Sequence, residues 1–154
     1  MASYLEDESY MRLALEQAKL AAIQNETPIG AVIVWDDGRV VASAYNRREL
    51  DRIATAHAEI LAIEQACRNL GGWRLHKATL YVTLEPCPMC AGAIINARIR
   101  RVVYGASDYK AGCCGSVTDL FREKFNHHPE VTGGVLAEEC SGLLTSFFKK
   151  LRKI

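Results

Sequence analysis

Thr79-Leu80-Tyr81-Val82-Thr83-Leu84-Glu85-Pro86-Cys87-Pro88-Met89-Cys90, continued by Ala91 to Ala97 and then Arg101-Val102-Val103-Tyr104, is the stretch that decides the fold. Thr79–Thr83 is a short, continuous apolar and β-branched run, the signature of a buried strand. Pro88 suits a first helical turn, and small and aliphatic residues carry the helix to Ala97. Arg101–Tyr104 returns to strand character. Strand, helix and strand over so short an interval make a parallel crossover.

Outward from that unit, element types keep alternating. His57 to Leu70 reads as a helix stopped by Gly71-Gly72. Ile29–Trp35 and Val40–Tyr45 flank Asp36-Asp37-Gly38-Arg39, and an Asp-Gly tip between two apolar runs predicts a hairpin. Pro28 closes the connection before it. Asp7 to Gln24 has Met11, Ala14, Leu15, Ala18 and Ala22 at helical spacing. Downstream lie a Gly/Cys/Asp loop over Gly105–Gly115, a short helix near Thr118–Phe125, and a weak strand over Val131–Leu136 interrupted by Gly133-Gly134. A terminal amphipathic helix carries Cys140, Leu143, Leu144, Phe147, Phe148 and Leu151. The expectation is a single α/β domain over residues 1–154, a three-layer α/β/α arrangement around one mixed sheet of about five strands.

Composition narrows the class. Of 154 residues, 49% are hydrophobic and 24% charged, which excludes disorder and a coiled coil. Nineteen Lys+Arg against eighteen Asp+Glu give a net charge of +1. A uniformly basic nucleic-acid binder is thereby excluded, and affinity for nucleic acid must come from a local patch. No apolar run approaches the ~20 residues of a membrane span. The first ten residues, Met1 to Tyr10, carry Glu6, Asp7 and Glu8 and have no signal-peptide core. A cytoplasmic protein is expected, with its six cysteines reduced and turned towards metal or catalysis.

Two segments concentrate chemistry. Thr55-Ala56-His57-Ala58-Glu59 opens one helix, and Pro86-Cys87-Pro88-Met89-Cys90 opens the next. Residues three apart on a helix share a face, so Cys87 and Cys90 can hold one ion. With His57 they make three ligands and leave a fourth position for water, the pattern of a catalytic zinc. Helix N-termini favour the thiolates that zinc requires. Glu59, two residues beyond His57, points away from the ligand direction and suits proton transfer better than ligation. A redox pair is the other reading of a C-x-x-C, but it has no need of His-x-Glu upstream. The remaining cysteines are read as packing residues, Cys67 and Cys140 on helix faces, and adjacent Cys113-Cys114 lack a ligand-spaced partner. His76, His127 and His128 are read as structural or surface groups.

H-A-E at 57–59 followed by P-C-P-M-C at 86–90 resembles the cytidine/deoxycytidylate deaminase superfamily, whose zinc enzymes carry this H-x-E and P-C-x-x-C signature. Longer matches are similar to the bacterial tRNA-specific adenosine deaminase family: P-I-G-A-V-I-V at 28–34, Asn46, T-A-H-A-E-I at 55–60, and T-L-Y-V-T-L-E-P-C-P-M-C-A-G-A at 79–93. To these are added R-V-V-Y-G-A at 101–106, Asp108, Lys110, F-N-H at 125–127, G-V-L at 134–136 and E-C-S-G-L-L-T-S-F-F at 139–148. Ala54 departs from the proline that many members place before T-A-H-A-E, which bears on loop stiffness.

The resemblance implies a cytidine deaminase-like fold, one Zn2+ per chain, no organic cofactor, and a homodimer acting on a tRNA anticodon stem-loop. The implied reaction is hydrolytic conversion of the wobble adenosine, in an arginine tRNA, to inosine. Glu59 would carry a proton from water to N1 and another to the departing amino group. Asn46 would contact the flipped purine, and Asp108, Lys110 and Phe148 would surround the anticodon loop. On the residues alone other roles stay open: Asn46 as a turn-closing residue, Asp108 with Lys110 as a solvated pair, Phe148 as core. The alternative function is a small-molecule deaminase of guanine, cytosine or a nucleoside. The basic tail Lys149 to Lys153 and the cluster Arg98, Arg100, Arg101 are candidate phosphate contacts, equally readable as ordinary surface. A non-catalytic zinc module is a third class, against which the intact Glu59 beside a three-ligand site argues, since structure alone needs neither.

Overall fold

Gly30–Val34 (β1), Val40–Tyr45 (β2), Thr79–Leu84 (β3), Arg101–Ala106 (β4) and Glu130–Thr132 (β5) form one sheet in the order β2-β1-β3-β4-β5. These elements come from a computed structural model that describes residues 3–153; Met1, Ala2 and Ile154 of the expected 1–154 domain lie outside the described residues. β1 runs antiparallel to both β2 and β3, while β3–β4 and β4–β5 are parallel. The sheet is therefore mixed, and Pro88–Ala97 (α4) is the crossover between its parallel central strands.

Period-two alternation sorts the side chains of β3 onto two faces. Tyr81 packs with Val32, Val34 and Val103 beneath Met11 and Leu15 of Tyr4–Ile23 (α1) and Cys140 of Ala137–Arg152 (α5). Leu80 and Val82 face the other way, with Ala31, Ile33 and Val102, towards Ala62 and Ala66 of Ala58–Leu70 (α3) and Ile94 of α4. Both faces are covered, which is why the strands read as nearly unbroken apolar runs. The alanines of α3 let its axis approach the sheet closely. Gly71 ends α3 with φ 74, a left-handed cap that glycine adopts without a Cβ clash.

The expected elements are present with four local differences. α1 begins three residues before Asp7, because the Ser3 hydroxyl accepts from the Glu6 amide at 3.2 Å and fixes the start there. A four-residue helix, Arg48–Asp51 (α2), follows the hairpin. The segment near 118–125 forms only a 3-10 turn, Leu120–Arg122, with Asp119 accepting from the Phe121 amide. The last strand stops at Thr132, since a Cβ at Gly133 would overlap the Tyr104 ring and Gly134 turns to φ 84.

Arg101 leaves the basic cluster expected with Arg98 and Arg100. Its guanidinium is buried, donating to both Asp7 carboxylate oxygens at 2.8 and 2.7 Å. Tyr81 donates to the same carboxylate at 2.8 Å.

Candidate active site

Two helix starts meet at the C-terminal end of β3. His57 is the N-cap of α3 and Cys87 the N-cap of α4, and neither side chain caps its own helix. Their donor atoms are thus free to face each other, and Cys90 joins from the first turn of α4. The Cys87 and Cys90 sulfurs each lie 3.6 Å from His57 Nδ1, and the three donors fall within 4.8 Å of one another. Bond lengths of about 2.3 Å to sulfur and 2.0–2.1 Å to nitrogen around a tetrahedral centre require sulfur and nitrogen about 3.6 Å apart. The donor set and spacing fit zinc. Among the described residues this is the one cluster of its kind, and Cys113 and Cys114 do not join it.

The chain's own charges already separate the two thiols. Cys87 is lowered to about 4, chiefly by the hydrogen bond from the Cys90 thiol, against opposing burial and with further help from His57. Cys90 is raised, because it keeps the proton it donates to Cys87 and is itself buried. The interaction with Cys87 also raises His57.

Glu59 stands in the first turn of α3 and is 4% exposed. Burial pushes its carboxyl up to about 7, and the Cys87 charge adds to this while its backbone amide and His57 oppose it. A carboxyl balanced near neutrality gives and takes protons with little penalty.

A cleft of ≈ 110 Å³ opens beside these groups, lined by Thr27, Ile29, Asn46, Arg48, His57, Ala58 and Glu59. A larger cavity of ≈ 320 Å³ lies against β2, but it contains none of the three donors or Glu59. Chemistry selects the smaller one.

The other expected site residues fall as follows. Asn46 is buried in the cleft wall and also closes the local turn: Nδ2 donates to the Thr27 carbonyl at 3.2 Å and Oδ1 accepts from the Arg48 amide at 3.1 Å. Asp108 and Lys110 are not an ion pair. The Asp108 carboxylate instead accepts from the Lys110 and Ala111 amides at 3.0 and 3.2 Å, shaping the turn that leaves the Lys110 side chain exposed. Phe148 is 44% exposed, whereas neighbouring Phe147 fills the core position.

Three polar residues escaped the sequence reading. Arg48 lines the cleft. Buried Glu26 accepts from the Glu49 and Leu50 amides at 3.2 and 2.9 Å, capping α2. Buried Glu85 accepts from the Asp108, Cys114 and Ser116 amides at 3.0, 2.8 and 3.1 Å. Burial alone would raise its carboxyl, but the Ser116 hydroxyl and these amides outweigh that and lower it. Gly112 passes so close to this carboxylate that a Cβ there would overlap it. The only sequence signal for Glu26 and Glu85 is a carboxylate beside an apolar run.

Known proteins resemble this chain over nearly its whole length. The MafB19-like deaminase family profile matches residues 5–152. The tRNA-specific adenosine deaminase of Bacillus subtilis is 54% identical over 149 residues, covering 96% of this chain and 92% of its own. That of Haemophilus influenzae is 51% identical over 148 residues, covering 96% and 86%. This chain belongs to the tRNA-specific adenosine deaminase family. Among solved structures, one from a study of A-to-I editing by tRNA:A34 deaminases at the wobble position superposes with a TM-score of 0.83 at 48% identity, covering 88% of this deaminase and 98% of that chain. A guanine deaminase from Bacillus subtilis gives a TM-score of 0.64 at 32% identity, covering 96% and 94%. The deaminase therefore has the cytidine deaminase-like fold, in common with that guanine deaminase.

Proposed function

We propose that this chain is one zinc-dependent deaminase domain that hydrolyses the wobble adenosine of a tRNA anticodon to inosine, in an arginine tRNA by the family resemblance. The observation that carries the chemistry is the buried Glu59 carboxyl beside the His57/Cys87/Cys90 donor triad. Identity of 54% to a tRNA-specific adenosine deaminase supports the substrate.

His57, Cys87 and Cys90 would hold the zinc, which when bound would supply the Lewis acidity that brings the pKa of water towards ~7. Glu59 accepts a proton from water and delivers it to N1 of adenine, then carries the second to the departing amino group. The balance is adenosine plus water to inosine plus ammonia. Asn46 has one amide hydrogen and one lone pair left after its Thr27 and Arg48 bonds, and these orient the purine. Asp108 shapes the exposed loop that carries Lys110 towards RNA, and Phe148 offers an exposed ring for stacking. The target base must leave its stack, which costs least in a loop. The same reading carries one zinc per chain, a homodimer and a cytoplasmic location, supported by the resemblance and checked by metal analysis, sedimentation and fractionation. No helix among the described residues is long and apolar enough to cross a membrane.

Ammonia release is the test. An anticodon stem-loop with adenosine at the wobble position should react, while adenosine, cytidine and guanine should react poorly, because a free base lacks the backbone contacts that hold it at the site. The likeness to a guanine deaminase favours the small-molecule reading as the alternative. Turnover of a free base or nucleoside as efficient as that of the stem-loop would establish it.

A further inference from the structure

The helices that begin at the metal donors both end at a second feature. α3 starts after His57 and α4 after Cys87; Trp73 follows the Gly71 cap of α3, and Arg98 is the cap of α4. Trp73 is 55% exposed. The Arg74 and Arg98 guanidinium carbons stand 4.9 and 5.9 Å from the centroid of its ring. Thirteen residues of α3 and ten of α4 place this cluster about 15–20 Å from the donors along the helix axes.

Two like charges thus share one indole, and neither guanidinium forms an ion pair among the described residues. The sequence around them is poor in acid. From Gln65 to Ser107 the sole acidic residue is Glu85, whose buried carboxylate is committed to the 108–116 loop. In a chain of net charge +1, two guanidinium groups are gathered on one exposed aromatic face.

We infer that the Trp73/Arg74/Arg98 cluster is a second contact surface for the RNA substrate, engaging its phosphates and stacking on a base outside the target nucleotide. The inference rests on the proposed function. Guanidinium groups pair bidentately with phosphate oxygens, and an exposed aromatic face accepts a base of any identity. A second copy of the chain is a poorer occupant, because a two-fold contact through this surface would oppose the same cations. The surface adds RNA affinity without touching the reacting atoms, so it acts on KM and not on kcat.

The test compares the wild-type enzyme with Trp73→Ala/Arg74→Gln, both positions lying in the exposed connection after α3. With zinc content and melting unchanged, KM for full-length tRNA should rise about tenfold at constant kcat. The slope of log affinity against log salt should become shallower by roughly 0.7–0.9, the equivalent of one phosphate contact. A measurement on the unaltered protein stands beside it: bound RNA should protect Arg74 and Arg98 from phenylglyoxal. An unchanged KM and slope, or unprotected arginines in an enzyme that is turning over RNA, would overturn the inference. A variant that sediments differently but keeps the wild-type KM would also overturn it, by making the cluster a protein interface. Failure of the wild-type enzyme to act on any RNA would instead strike the proposed function itself.

Discussion

Cys87, held near pKa 4 by the Cys90 thiol and then by His57, is a thiolate throughout the neutral range, which is the form both a metal and an alkylating reagent require. Burial raises Cys67, Cys113, Cys114 and Cys140 above the ordinary thiol value. In metal-stripped enzyme, iodoacetamide should therefore modify Cys87 first, with a rate that rises through about pH 4 and is flat from pH 6 to 8. The other thiols, all raised above the ordinary value, should react only at higher pH. Peptide mapping after timed alkylation checks this, and zinc should protect Cys87. Glu59 gives the complementary result. Glu59→Gln keeps the shape and all three donors but removes the carboxylate proposed to carry the proton, so zinc should stay bound while turnover falls by about 10²–10⁴-fold. Loss of zinc from a folded Glu59→Gln enzyme would make this carboxylate a ligand.

Short elements hold the cleft in shape, and α2 is the clearest case. Four residues cannot sustain a helix alone; Glu26 caps it from the core side, and Arg47 binds Asp51 across it at 3.1 Å. Glu26→Gln leaves one acceptor for two amides and turns a donor towards the other, a loss of about 1–3 kcal/mol at a buried site. The expected result is a several-fold fall in kcat/KM on the stem-loop with zinc content unchanged, because Arg48 and Asn46 shift while the donors do not. Normal kcat/KM in that variant would separate α2 from the cleft. Neither α2 nor its cap was legible in the sequence: four residues contain no period, and the Glu26 partners lie 23 and 24 positions away. The β3–α4–β4 unit was legible because its periods, proline and apolar content agree. So were the donors, since His57 and the Cys87–Cys90 spacing each open a helix. Phe147 and Phe148 show the boundary. The terminal stripe admits both, but helix phase places Phe147 seven residues from buried Cys140, and Phe148 is left 44% exposed.

The whole molecule is tied together at the end of the sheet away from His57, Cys87 and Cys90. Asp7 of α1, Tyr81 of β3 and Arg101 at the start of β4 share hydrogen bonds, and Arg101 reaches Thr132 of β5 at 3.0 Å. One ion pair, with side chains 5% and 10% exposed, thereby fixes a helix and three strands. Removing one partner leaves a buried charge, so Asp7→Ala should cost about 3–5 kcal/mol. The exposed Arg12–Glu139 pair, at 2.9 Å with side chains 59% and 51% exposed, is the internal comparison, and Arg12→Ala should cost about 0–1 kcal/mol. Replacing both buried partners with apolar residues, Asp7→Leu with Arg101→Met, removes both desolvation penalties and should recover most of the loss. Denaturant midpoints of the four proteins measure these differences. Arg101 begins β4, whereas the donors follow the end of β3. Asp7→Ala should accordingly unfold earlier yet retain its zinc and its turnover per folded molecule. Zinc loss from the folded Asp7→Ala protein would show instead that the two ends of the sheet are mechanically coupled, and that the ion pair sets the geometry of the active site as well as the stability of the fold.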